Sequence, residues 1–406
     1  MTSGLPIHTQ HVKALDGLRG YAAILVTFFH TILNLEPTLV ERVLSPAIGQ
    51  IGRADWVNKL ALIMFNGTTA VALFYVLSGA VLCQSLLRTT LTFRTSGLFF
   101  LRRILRLFPV LIVCMLTMWA LSVAYNGIGI HTYPLITAAN AIKNALLLDT
   151  RFHGPSTSIQ IEVLATPFIF LFAFLYRRYA VLIAAVFLTL SIVAIQEPNL
   201  VFSLPNMNAS LFLFVIGMVI ALPEAKNLFS EITTGKLIIL LVFCFLLRHL
   251  VHIESLPGLI AQGMLLGTLV GFVLHTVKPS RFHLFLENRY SQFLGRISYS
   301  YYLFNVPVLF ILWFTPRLEF VAQWKNPVLG GLVVGLISVV ITLPIAYFSH
   351  KYCELPFIHF GKKLTLKFLR PGLGSTQQAT LQSDAKLIGD VTDQLEQEVQ
   401  ERKALA

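Results

Sequence analysis

The chain runs to 406 residues, 56% hydrophobic and only 12% charged, with a formal net charge of +12. Soluble domains carry about a quarter charged residues, and the apolar residues here fall in blocks of about twenty, the length needed to cross a bilayer. A soluble domain is therefore excluded. Nucleic acid is not the implied partner either, because positive-inside bias and anionic headgroups account for basic residues placed at the ends of apolar blocks.

Hydropathy predicts an all-α membrane protein, a polytopic bundle of about ten transmembrane helices. They fall at about 18–35, 60–82, 107–125, 158–176, 179–196, 204–222, 236–252, 258–277, 298–314 and 328–349. With a cytoplasmic N-terminus, inner segments hold 23 of the 31 lysines and arginines. Outer loops hold seven (Arg42, Arg53, Lys59, Lys143, Arg151, Arg317, Lys325), and Arg248 lies within a span. That asymmetry over short loops places both termini on the cytoplasmic side of a multi-pass protein of a plasma or inner membrane. Residues 1–14 are polar and the first apolar block is long enough to span, so no cleavable signal is expected.

Two outer stretches, 36–59 and 126–157, are long enough for a lid or an acceptor site, the second with a short interfacial helix over Ala138–Leu148. The transmembrane unit is expected over 1–362, followed by a polar cytoplasmic tail over 363–406 that is partly helical or disordered. The four cysteines (Cys83, Cys114, Cys244, Cys353) are widely spaced and suggest neither a disulfide framework nor a metal site. Repeats of the kind that mark many transporters are not found.

Polar groups inside the apolar blocks are the candidates for chemistry, since ionisable residues in membrane helices are costly and face a bundle interior or wet cavity. On the first span Arg19 and His30 are eleven residues apart, about 16 Å of rise and about 20° of rotation, so they share one face. A plainer reading makes Arg19 a marker of the cytoplasmic end and His30 a hydrogen-bonded core histidine. Counting rise from the hydropathy boundaries puts His30, Glu162 and Asn66 about 7, 6 and 9 Å below the outer surface, with Arg248 in the same layer. A neutral imidazole beside a carboxylate suits proton abstraction from a hydroxyl, so His30 and Glu162 are expected to pair as catalytic residues. The alternative is that these groups satisfy one another as structural glue.

The inner layer gathers Arg19 with Arg102, Arg103 and Arg106, whose i, i+3 and i, i+4 spacings bring Arg106 beside the other two. Guanidinium groups clustered at a cytoplasmic mouth suit a polyphosphate ligand, and equally a plain positive-inside signal. Ser78-Gly79 lacks a Gly-x-Ser-x-Gly elbow and is assigned to close helix packing rather than nucleophilic catalysis.

These residues resemble the membrane acyltransferase-3 family. Its opening signature is similar to Leu15-Asp16-Gly17-Leu18-Arg19-Gly20 followed by His30, and its second-span signature to Phe74-Tyr75-Val76-Leu77-Ser78-Gly79. Arg103-x-x-Arg106 before Phe108-Pro109 matches its arginine pair. Leu294-Gly295-Arg296-Ile297-Ser298-Tyr299-Ser300 and Glu354-x-Pro356-Phe357 fit its closing spans. Two positions depart from it: Thr157-Ser158-Ile159-Gln160-Ile161-Glu162 stands where the family has Trp-Ser-Leu-x-x-Glu, and Asn305 where it commonly has His. The resemblance implies an integral-membrane O-acyltransferase that moves an acyl group, commonly acetyl, from cytoplasmic acyl-CoA to a hydroxyl of a surface carbohydrate or lipid-linked acceptor, without a metal. CoA's phosphates would lie at Arg19, Arg103 and Arg106. Asn66 would stabilise a developing oxyanion, and Arg248 is a second candidate for contacting substrate. The alternative is a proton-coupled transporter or flippase with His30 and Glu162 as a relay.

Overall fold

The structure is a computed structural model and describes residues 7–130, 134–204, 206–230, 232–250, 255–276, 280–314 and 326–369. Every described segment of regular structure is helical. The helices are α1 (Ile7–Leu35), α2 (Trp56–Met64), α3 (Gly67–Arg88), α4 (Phe93–Gly127), α5 (Ala138–Ala145), α6 (Gly154–Tyr179), α7 (Val181–Gln196) and α8 (Met207–Ile220). There follow α9 (Ala225–Phe229), α10 (Thr234–Leu250), α11 (Leu256–His275), α12 (Arg281–Glu287), α13 (Arg289–Trp313), α14 (Pro327–Ser349) and α15 (Leu355–Leu369). Six helical stretches among the described residues are long and apolar enough to cross a membrane, so the chain is a multi-pass membrane protein. Each of the ten hydropathy blocks contains a helix, though α7 and α8 are short for a full crossing.

Helix boundaries move where local chemistry overrides hydropathy. The block 60–82 is two helices, not one, broken at Asn66. Asn66 Oδ1 accepts from the Thr69 N–H at 2.9 Å and from Thr68 Oγ1 at 2.6 Å, an N-cap that starts α3 afresh. Charged residues did not end helices as hydropathy implied. α4 begins at Thr92, whose side chain caps it, and α13 begins at the Asn288 cap. α15 likewise continues past Gly361 to Leu369, so the first residues of the tail expected over 363–406 are helical, while the rest of that tail lies outside the described residues.

α1 is the central helix, packed against α3, α11, α12, α13 and α14. Two crossings are so close that only glycine fits. A Cβ on Gly79 would overlap the Phe214 carbonyl, and one on Gly217 the Val76 carbonyl, which locks α3 against α8. A Cβ on Gly20 would lie 2.7 Å from the Gly295 nitrogen, which brings α1 onto α13. With little hydrophobic drive between helices in lipid, this backbone proximity supplies the packing energy.

The stretch 36–59 is organised by a buried lysine. Lys59 is 1% exposed, and its Nζ donates to the Leu44 and Pro46 carbonyls at 2.7 Å each. The second stretch contains the expected surface helix, as α5. It leads to His153, the N-cap residue of α6, which is fully buried. His153 Nε2 donates to the Leu303 carbonyl at 3.1 Å, so Nδ1 accepts from Ser156 Oγ at 2.7 Å, the pattern of a neutral imidazole. Burial lowers its pKa to about 4, against a smaller raising effect of the Leu303 carbonyl.

Replacing Gly79 with valine should force α3 off α8 and cost about 1–3 kcal/mol, read as a lower unfolding temperature in detergent. Gly97→Val, where nothing lies within 4 Å, should leave it unchanged. For His153 the folded-state pKa lies below the ordinary imidazole value of 6.5, so its share of stability is complete above that value and is lost as pH falls towards about 4. A His153→Gln variant should therefore lose less stability than wild type on acidification through that window; parallel losses would show that the imidazole is not held neutral.

Candidate active site

The polar residues of five helices meet in a cavity of about 90 Å³ between α1, α3, α4, α6 and α13. Arg103 and Arg106 reach it from α4, on one face by their i, i+3 spacing, and Arg19 reaches it from α1. Glu162 of α6 is the carboxylate among them. Its Oε1 lies 2.6 Å from Arg103 Nη2 and accepts from Ser78 Oγ of α3 at 2.7 Å. Arg19 has Asp16 at 4.0 Å, one turn below on its own helix. Phe74, Tyr75, Tyr299 and Tyr302 supply aromatic wall. Tyr302 shares a hydrogen bond with Ser158 at 3.0 Å, and Tyr299 donates to the Leu107 carbonyl at 2.6 Å.

Arg106 is held from a different direction. Its Nε lies 3.9 Å from Glu354 Oε1, and Glu354 is 2% exposed. The other carboxylate oxygen accepts from Ser300 Oγ at 3.1 Å and lies 2.9 Å from His350 Nδ1. A π-helical turn over His350–Glu354, between α14 and α15, places the histidine and carboxylate on one side of the chain.

The cavity joins the three arginines expected to act together, but the expected His30–Glu162 pair does not form. Glu162 is bound by Arg103 and Ser78, in the arginine layer rather than the outer one. The error came from both helix starts. α6 begins at Gly154, which puts Glu162 about 12 Å along it, while α4 begins at Phe93, so Arg103 and Arg106 lie about 15 and 20 Å along theirs. The arginines are thus within a long helix and not at its mouth.

His30 lies on the same stripe of α1 as Arg19, about 16 Å further along the axis. Its side chain is exposed, with Phe29 edge-on at 5.8 Å and no hydrogen bond or ion pair among the described residues. Asn66 does not line the arginine cavity, being the α3 cap. Arg248 is on α10, with its side chain outside the described residues. Two participants were not singled out as site residues from sequence. Ser78 was assigned to helix packing, a role its neighbour Gly79 fills, and its hydroxyl instead engages Glu162. Glu354 was quoted only within Glu354-x-Pro356-Phe357, and its burial beside Arg106 is a tertiary fact with no local signal.

Each of the three arginines has a carboxylate near it, but only one of these contacts is close: Glu162 lies 2.6 Å from Arg103, while Asp16 is 4.0 Å from Arg19 and Glu354 is 3.9 Å from Arg106. Arg103 Nε is buried and has no acceptor among the described residues, although buried N–H groups are nearly always paired. Converging guanidinium groups with an unmet donor suit an anionic ligand, and phosphate is the group that planar, bidentate donors match best.

The chain matches the family model of acyltransferase 3, described as an acyltransferase domain, over residues 12–348. No curated protein and no solved structure matches it. The matched stretch covers most of the chain and contains Arg19, His30, Ser78, Arg103, Arg106 and Glu162, and the protein belongs to the acyltransferase-3 family.

Proposed function

We propose that this membrane acyltransferase is an O-acyltransferase that uses cytoplasmic acyl-CoA, with acetyl as the group moved, to modify a hydroxyl of an exported or surface carbohydrate. The observation that carries the reading is the convergence of Arg19, Arg103 and Arg106 on one cavity within an acyltransferase chain. The residues fit a nucleotide-bearing donor, given the three converging guanidinium groups and the unmet Arg103 Nε. Acyl-CoA would supply the activated thioester, with its phosphates held by the arginines. Ten crossings with both termini in the cytoplasm, in a plasma or inner membrane, would open this cavity towards the side where CoA is found.

His30 then serves as the base that takes the acceptor hydroxyl's proton, further along the α1 face from Arg19. Without Glu162 beside it, the imidazole works from an open position with access to an acceptor. Glu162 has a positioning role. It fixes Arg103, and through Ser78 it ties the arginine layer to α3. A transporter with His30 and Glu162 as a proton relay gains nothing from the geometry, because Glu162 is committed to Arg103 and Ser78.

Arg103→Ala alone would strand a buried carboxylate at a cost of about 3–5 kcal/mol, so the informative variant pairs it with Glu162→Gln. That double variant, and Arg106→Ala separately, should weaken CoA binding about tenfold or more by calorimetry in detergent. Unchanged affinity in both would leave the arginines as topology signals. His30→Ala should lower transfer about 100-fold or more while CoA affinity stays at the wild-type value. Retained transfer would remove the base assignment. Purified wild-type protein should also release free CoA from acetyl-CoA in the presence of acceptor, which a transporter would not do.

A further inference from the structure

A second cleft of about 480 Å³ lies between α1, α3, α10 and α11 and shares no lining residue with the arginine cavity. Its walls are apolar, with Leu25 from α1, Leu73 from α3, Leu241 from α10, Leu269 from α11 and Met64 from α2. One buried amide interrupts them. Asn66 lines the cleft and is 4% exposed. Its Oδ1 is already the acceptor for the Thr69 N–H and the Thr68 hydroxyl, so the remaining end of the amide is fixed as the NH₂ donor.

That Nδ2 is buried and finds no acceptor among the described residues. A buried donor without a partner carries its whole desolvation penalty. The helix cap does not require it, because Asp, Ser or Thr at this position would accept from the same backbone N–H and leave no surplus donor there. The amide therefore calls for an oxygen from outside the chain, and the walls around it call for hydrocarbon. Ligand pockets have this composition, largely apolar with a few placed polar groups that fix orientation. In a bundle immersed in lipid, the molecule that carries both an oxygen acceptor and a long apolar chain is the lipid itself.

We propose that this cleft holds one acyl chain of a glycerophospholipid, oriented by a hydrogen bond from Asn66 Nδ2 to the lipid's ester carbonyl. Asn66 is thereby a lipid-binding residue rather than a group that stabilises an oxyanion. The chain lies against the face of α1 that carries Leu18, Ala22 and Leu25, adjoining the stripe that bears Arg19 and His30. Lipid occupancy is thus an integral part of how the central helix is packed.

The test uses the full chain in phosphatidylcholine nanodiscs doped with phosphatidylcholine bearing a diazirine on one acyl chain near the carbonyl. Irradiation and peptide mapping should find label concentrated at Met64, Leu241 and Leu269. Asn66→Asp keeps the cap acceptor and removes the donor, and should reduce cleft labelling about fivefold. Leu269→Trp, which fills the cleft, should abolish labelling there while background labelling of outward-facing helices is unchanged. Label spread in proportion to surface exposure, or cleft labelling unchanged in both variants, would overturn the proposal. So would competition by a polyprenyl phosphate but not by unlabelled phosphatidylcholine. If Asn66→Asp unfolds, Leu269→Trp decides alone. Labelling is read without acyl transfer, so the outcome is independent of whether the arginine cavity binds CoA.

Discussion

The ion pair between Arg103 and Glu162 is the contact on which the site's geometry depends. A guanidinium in the middle of a membrane helix is tolerable only if the bundle supplies a counter-charge and places it well. Glu162 does so from α6, at 2.6 Å, and recruits the Ser78 hydroxyl of α3 to the same oxygen. Side chains of three helices thus meet at one atom. Glu354 faces Arg106 more loosely, at 3.9 Å, from the turn between α14 and α15, with Ser300 of α13 donating to its other oxygen. The charged layer thus belongs to the bundle's architecture as much as to its chemistry.

Such a layer would collapse without a rigid frame, and close backbone contact provides one. The Gly79–Phe214 and Gly20–Gly295 approaches bring α3 onto α8 and α1 onto α13, and leave the cavity between these tightly joined pairs. The buried His153 fixes the start of α6 to the Leu303 carbonyl of α13, so that Glu162, about two turns further on, is presented at a set height. Packing, capping and ion pairing therefore act on the same few helices.

Much of this was legible in the sequence. The helices, the family, the arginine set and the α5 surface helix all followed from hydropathy, spacing and motif, because these are local signals. The pairing of Glu162 was not legible, since it depends on how far two helices extend beyond their apolar blocks. Thr92 and the Gly154-Pro155 start decide that, and neither registers in a hydropathy window. The break at Asn66 was missed for the opposite reason: the apolar run continues through it while the amide caps a new helix. Glu354 lies 192 residues from Glu162 in the chain, and only folding places both carboxylates against neighbouring arginines of one helix.

The buried Lys59 has a mechanical consequence. Its ammonium is sealed from water and donates to two backbone carbonyls, so peeling residues 44–46 away from α2 would break both of these bonds at a desolvated cation. That segment cannot flap like a tethered lid. Any shift of this segment is favoured together with α2 as one plate on the far side of the Asn66 break, and would appear as a tilt of that plate rather than as the melting of a loop.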